Sequence, residues 1–226
     1  EMCGRDWSSD VCSSDLYILD TGMGTELQKK GVRVPDWKKS IWSADALIHQ
    51  PEAVRNVHIE NIEAGANVII TNNYYVTPNI LKRENLESDF AKLVQQSIDL
   101  AIESIAGRDD VLIAGSFPPI ETSFRPDLTP ENHVLNNFYH DLLEIMSGQV
   151  DIIICETMSS IREGKTACEI ALKEFDEVWL SWTTRGIDGS SLIKVKIKSI
   201  NNSHCNIKTR SLLLQVVGYS FYYYKL

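Results

Sequence analysis

What most constrains this chain is a repeated alternation. Short apolar runs at 17–19, 67–71, 111–116, 151–156 and 178–181 are separated by longer segments, two of which have a clear helical period. Runs of this length, rich in β-branched residues and bounded by turn residues, predict buried strands. Between them, Phe90, Leu93, Val94, Ile98 and Ala101 fall on one helical face, as do Val134, Leu135, Phe138, Leu142 and Met146. Thr129 followed by Pro130 predicts the start of the second of these helices, an N-cap with proline at the first helical position. Alternating strands and helices call for parallel strands joined by right-handed crossovers.

Two architectures satisfy that pattern, a (β/α)8 barrel and an open doubly wound sheet. An open sheet concentrates chemistry at one switch point, whereas every strand of a barrel can contribute at its C-terminal end. Here Asp20, Thr71 with Asn72, Ser116, Glu156 and Thr183 all stand at or just past the ends of apolar runs. The expectation is an α/β chain of the (β/α)8 barrel type, with only about the first five β/α units present. Its first and fifth strands would then show unpaired edges.

The 226 residues, 43% of them hydrophobic, suffice for a sizeable core. A formal charge of -9 with no basic stripe ahead of the tail argues against nucleic acid or an anionic membrane as partner. No apolar run nears the roughly 20 residues that cross a bilayer, and the expected setting is soluble and cytoplasmic. The five cysteines show neither disulfide-framework nor CxxC spacing. A small-molecule enzyme is the leading class.

Both ends differ from the middle. Residues 6–16 back-translate without strain to a sequence resembling a common sequencing-library adapter, so 1–16 is read as non-native and Cys3 and Cys12 carry no meaning. From Lys194 to Leu226 there are six Lys or Arg, no acidic residue and four of the eight tyrosines. That segment, 194–226, is read as a non-native read-through tail, leaving 17–193 as the folded domain.

The residues singled out also carry a resemblance. Leu19-Asp20-Thr21-Gly22-Met23-Gly24-Thr25-Glu26-Leu27, Ile41-Trp42-Ser43-Ala44, Pro51-Glu52-Ala53-Val54, His58, Ala64-Gly65-Ala66, Ile70-Thr71-Asn72 and the stretch 151–157 resemble the homocysteine S-methyltransferase family, in the same order. The stretch 178–184 is similar to the fifth strand of its compact subgroup, which uses S-methylmethionine or S-adenosylmethionine. The resemblance implies a zinc-dependent barrel that methylates the sulfur of L-homocysteine to give methionine, with small-molecule partners only. A thiol of ordinary pKa near 8.5 is mostly protonated at neutral pH, and a metal would lower that pKa. A sulfonium donor carries a good neutral leaving group, so what remains for the protein is to bind and aim the amino acid.

By that resemblance, and by position past the first and fourth strands, Asp20 and Glu156 are expected to bind the α-ammonium of homocysteine. Gly22 and Gly24 are expected to supply positive φ and close backbone approach, so that amides reach the substrate carboxylate. Thr71 and Asn72 would line the pocket floor and position the acidic residues by hydrogen bonds. Thr21 stands where the family more often has glycine, and Asn73 where it has threonine. His58, Cys155 and Cys168 are expected to be packed core residues. No catalytic or metal-binding residue is assigned within the chain. The implied zinc ligands are three cysteines in Gly-x-Asn-Cys and Gly-Gly-Cys-Cys patterns; neither occurs, and Cys205 lacks the preceding glycine. Two other readings stand beside this one: a non-catalytic or binding-only remnant, and a different barrel enzyme acting on a small amino acid. A Schiff-base aldolase is disfavoured because no credible strand ends in lysine.

Overall fold

A computed structural model describes residues 17–183 and the strands at 210–216 and 219–225. The adapter reading of 1–16, the composition break at Lys194 and the question of Cys205 lie outside the described residues. Four strands, β1 (Val68–Ile70), β2 (Leu112–Phe117), β3 (Ile152–Met158) and β4 (Val178–Trp182), pair in chain order, every pair parallel. The run at 17–19 contributes a single parallel bridge, Leu19 to Val68, ahead of β1. It stops there because the turn at Asp20 leads at once into helix α1 (Met23–Lys29). Five strand positions therefore follow one another in sequence order, the α/β succession of a partial (β/α) barrel.

The helices between them are α2 (Ala44–His49), α3 (Pro51–Glu63), α4 (Pro78–Leu81), α5 (Phe90–Ile105), α6 (Asn132–Met146) and α7 (Ile161–Ala171). Proline opens α3 and α4, where a missing N–H costs nothing, and Thr77 caps α4 by accepting the Ile80 N–H at 3.3 Å. The amphipathic periods predicted for 90–105 and 134–146 are α5 and α6. The predicted helix start at Thr129 is corrected: α6 begins at Asn132 behind Glu131. Thr129 is instead held by the first turn of α7, where Arg162 donates to its carbonyl at 2.8 Å and Glu163 lies 3.4 Å from its hydroxyl.

Period-two alternation sorts the strands into two faces. Ile69, Ile113, Ile153, Cys155, Val178 and Leu180 point to the helices and join the main core. Val68, Ala114, Ile152, Ile154 and Trp179 form a second cluster on the other face, with Tyr17 and Leu19 packed against it. The Tyr17 and Trp179 rings meet edge to face at 5.0 Å, tying the first strand position to the fifth. Along this inner face the apolar residues end where the strands end, and polar ones begin.

The expected open edge at the fifth strand is also corrected. Strand β6 (Tyr219–Lys225) pairs antiparallel with β4, Leu180 opposite Tyr224, and β5 (Arg210–Val216) pairs antiparallel with β6. The row of β4 backbone groups facing away from β3 is thus occupied, which removes the edge liability there. Among the described residues no helix is long and apolar enough to cross a membrane.

Candidate functional site

Where the inner face turns polar, at the C-terminal ends of the strands, a cleft of about 410 Å³ opens. Asp20, Gly22, Gly24, Thr71, Asn72 and Glu156 all line it. The structure therefore brings together the whole predicted set from three separate stretches of chain.

Asp20 follows the Leu19 bridge, and its side chain is only 4% exposed. Its Oδ2 accepts the Ile70 N–H at 3.0 Å, and its own N–H donates to Val68 at 3.0 Å, so backbone on both sides fixes it. Burial pushes its carboxyl above the usual range, opposed by nearby His58. Glu156, half-buried near the end of β3, accepts a hydrogen bond from the Ser116 hydroxyl of β2. Burial pushes its carboxyl up to about 7, the Ser116 bond lowers it and the negative charge of Asp20 raises it further. Two carboxylates, Asp20 buried and Glu156 half-buried, with no cation among the described groups between them form a site suited to a ligand that brings positive charge.

The loop leading into α1 depends on its glycines differently from the expectation. Neither takes a positive φ: Gly22 is the N-cap of α1 at φ -62, and Gly24 is absent from the left-handed glycines. Gly24 is needed for close approach, because a Cβ there would lie 2.2 Å from Nε1 of Trp42. A Cβ on Gly22 would meet only Thr25 Oγ1 at 3.8 Å. Thr21 anchors the loop: its N–H and hydroxyl both donate to Asn61 Oδ1, at 3.1 and 3.0 Å.

Thr71 and Asn72 line the cleft but hydrogen-bond neither carboxylate directly, which corrects the predicted role. The Thr71 hydroxyl donates to Asn73 Oδ1 at 2.6 Å and accepts the Ser116 N–H at 3.0 Å. Thr71 thus fixes the residue that in turn holds Glu156. The Asn72 amide donates to the Ser43 carbonyl at 3.1 Å, binding β1 to the start of α2. Asn73, where the family more often has threonine, is fully buried and donates to the Ser116 carbonyl at 2.9 Å.

Several lining residues were given no role by the sequence reading, although Tyr74 and Thr157 stand in the polar clusters that end two of the apolar runs. Ser123 and Phe124 come from the loop after β2, which carries no motif. The Tyr74 hydroxyl sits against those of Ser123 and Thr157, and burial with the charge of Glu156 pushes its pKa up. Thr157 has φ 51, a left-handed conformation rare for a β-branched residue, and its N–H is taken by Ser181 Oγ at 2.8 Å. The β3–β4 register gains a residue here: Cys155 pairs with Leu180 and Met158 with Trp182. That bulge turns Thr157 toward the cleft beside Glu156, where strict alternation would have pointed it at the helices. A Gly or Asn at 157 would have flagged the turn; threonine hides it.

His58 is fully buried as expected, with Nδ1 3.7 Å from Asp20 Oδ2. Cys155 and Cys168 are buried on the helix side of β3, away from the cleft. The groups facing the cleft are carboxylates, hydroxyls, amides and aromatic rings. Among the described residues no group of three His, Cys, Asp or Glu is placed to hold a metal. The described part of the cleft therefore does not fit a thiolate-held zinc.

Comparison with known proteins gives one consistent answer. The homocysteine S-methyltransferase family model matches residues 17–209. The homocysteine S-methyltransferase YbgG of Bacillus subtilis is 28% identical over 190 residues, covering 75% of this chain and 59% of that protein. An S-methylmethionine–homocysteine S-methyltransferase of Pongo abelii is 30% identical over 164 residues, covering 73% of this chain and 42% of its own. Among solved structures, the metallated form of the homocysteine methyltransferase MmuM from Escherichia coli superposes with a TM-score of 0.66 at 29% identity, covering 76% of this chain and 64% of that one. The chain thus spans less than two thirds of the relatives it matches.

Proposed function

Since the chain belongs to the homocysteine S-methyltransferase family, we propose that its cleft binds L-homocysteine and that the whole protein transfers a methyl group from a sulfonium donor to the homocysteine thiol. The observation that carries this reading is the pair of carboxylates, Asp20 and Glu156, brought to one cleft from different strand ends. An ammonium has three donors, so two acceptors arriving from different directions fix its orientation as well as offset its charge. A bound ammonium also supplies the positive charge that the carboxyls lack, drawing Glu156 fully into its ionised form. S-Methylmethionine or S-adenosylmethionine is the donor class we favour; the first of these is the donor in the name of the Pongo abelii relative.

In such a transfer the sulfur of homocysteine attacks the methyl carbon, the carbon–sulfonium bond breaks, and its electron pair returns to the donor sulfur, which leaves neutral. The thiol proton is lost to the surroundings. The family's zinc, when bound, supplies thiolate character to the attacking sulfur. Neither cysteine pattern that would hold it occurs in these 226 residues, so the part we assign to this chain is holding and aiming the amino acid. Asp20 and Glu156 grip the ammonium, the Gly22–Gly24 loop offers amides to the carboxylate, and Thr71 and Ser116 keep Glu156 in place.

The experiment is titration of the purified chain with L-homocysteine by calorimetry, beside Asp20→Asn and Glu156→Gln. Each substitution removes a charge-assisted hydrogen bond worth about 1.5–3 kcal/mol, or roughly one to two decades in affinity. Unchanged affinity in both variants would overturn the ammonium assignment. Parallel measurement of bound zinc and of methionine formation tests the binding-only part of the reading; stoichiometric metal with turnover would refute it.

A further inference from the structure

Helix α3 presents two polar side chains on one face, three residues apart, to two consecutive residues of the cleft. Asn61, itself anchored by its amide to the Val57 carbonyl at 2.8 Å, accepts both bonds from Thr21. His58, one turn earlier, lies against Asp20, with Nδ1 3.7 Å from Oδ2. The His58 ring is fully buried, and neither nitrogen has a hydrogen-bond partner among the described residues. A buried imidazole with both nitrogens unpaired is costly, and its cause lies in what its nearest polar neighbour must do.

Asp20 Oδ2 already accepts the Ile70 N–H. An ionised carboxylate only accepts, so a nitrogen facing it is attracted only if it carries a proton. In the neutral imidazole bearing that proton on Nδ1, the one atom left unpaired is the Nε2 acceptor. Every other form leaves a bare N–H donor or opposes lone pairs, which costs more.

We propose that His58 is a positioning residue for Asp20: it carries its proton on Nδ1 and, with the Ile70 N–H, fixes the Asp20 carboxylate so that its other oxygen faces the cleft. The 3.7 Å separation exceeds a hydrogen bond by only about half an ångström, so a small movement of the ring completes the contact. This rests on the ammonium-binding reading of the same cleft, but the tautomer is a property of the free protein and is measured without any ligand.

The experiment has two parts. Long-range proton–nitrogen correlation on the ¹⁵N-labelled full chain is expected to show the His58 ring as the Nδ1–H tautomer, and Asp20→Leu is expected to abolish that preference. A ring protonated on Nε2, or one indifferent to Asp20→Leu, overturns the inference. Binding of L-homocysteine then separates the two nitrogens. His58→Asn places an amide nitrogen near the position of Nδ1 and is expected to retain affinity within about threefold, whereas His58→Gln places it near Nε2 and is expected to lose about tenfold. Equal affinities in the two variants, both folded by circular dichroism, overturn the inference. If the unsubstituted chain binds no homocysteine, the substrate reading fails while the tautomer still decides the role of His58.

Discussion

Two walls of the same cleft are held in different ways. The wall from 20–25 rests on backbone bonds to β1 and on a single helix, α3, through Asn61. The wall from 122–124 is tied by side chains from distant segments: Tyr74 and Thr157 at Ser123, Thr77 at the Ile120 carbonyl at 2.7 Å, and a buried carboxylate of α7. Glu163, in the first turn of α7, accepts the Ile120 N–H at 2.8 Å, lies 3.4 Å from the Thr129 hydroxyl and receives Tyr139 at 3.5 Å. Both ends of the loop after β2 are thus gathered by one side chain, whose carboxyl burial pushes above its usual value. A wall tied to neighbouring chain should be insensitive to changes far along the sequence, whereas a wall tied to distant segments should loosen when one of those anchors is removed.

The largest test of that contrast falls on the first wall. Alanine in place of glycine inside a helix ordinarily gains about 1 kcal/mol. At Gly24 the new Cβ would meet the Trp42 indole at 2.2 Å, and overpacking of that kind costs about 1–3 kcal/mol or more. Gly24→Ala is expected to lower stability by about 2 kcal/mol net, read by denaturant unfolding; a rise in the midpoint would show that Trp42 yields freely. Next comes the second wall. Glu163→Ala leaves the Ile120 N–H buried and unpaired, at a cost of about 1–3 kcal/mol. Hydrogen exchange should quicken across 118–131 and leave 20–25 unchanged; equal quickening in both walls would erase the distinction.

A third test concerns the floor between them. The folded-state pKa of Glu156 lies near 7, above its unfolded value. Folding therefore favours the protonated form, and stability falls as pH rises from about 4.5 to 7 and remains lower above that window. Glu156→Gln is expected to stabilise the chain by about 1–2 kcal/mol at pH 8 and by little at pH 4. Thermal melts at the two pH values decide it, and a pH-independent effect would contradict the raised pKa. The smallest effect is the control for the first: Gly22→Ala, with φ already negative and room for a Cβ, should change stability by less than about 0.5 kcal/mol.

The same contrast explains what could be read in the sequence. Strands and amphipathic helices were legible because their periods are local, and Asp20, Thr71 and Glu156 were legible because each stands where an apolar run ends. Long-range devices were not. Nothing near Thr129 announces that Arg162 and Glu163 will hold it, so its cap-like pairing with Pro130 pointed to a helix start that lies further on. Ser123 and Phe124 line the cleft on a loop held by Glu163, Thr77, Tyr74 and Thr157, all distant in the chain. Of the two glycine expectations, positive φ failed at both positions and close approach was found at Gly24 with a partner, Trp42, that lies far along the chain and leaves no local sign. The covered edge of β4 was hidden for want of any local sign that β6 would pair there.

The bulge at Thr157 has a consequence for how the chain could change length. On either side of it the strand keeps its faces: Ile153 and Cys155 point to the helices before it, and Met158 is buried in the same core after it. Between the pairings of Cys155 with Leu180 and of Met158 with Trp182, β3 holds one residue more than β4. Deletion of Thr157 would equalise the count and leave Met158 in the core and Glu156 in the cleft, whereas deletion of any residue from 152 to 155 would exchange the strand's two faces. The step between Cys155 and Met158 is where β3 can lose a codon without exchanging its faces, and Thr157 is the residue there whose loss also spares the cleft carboxylate.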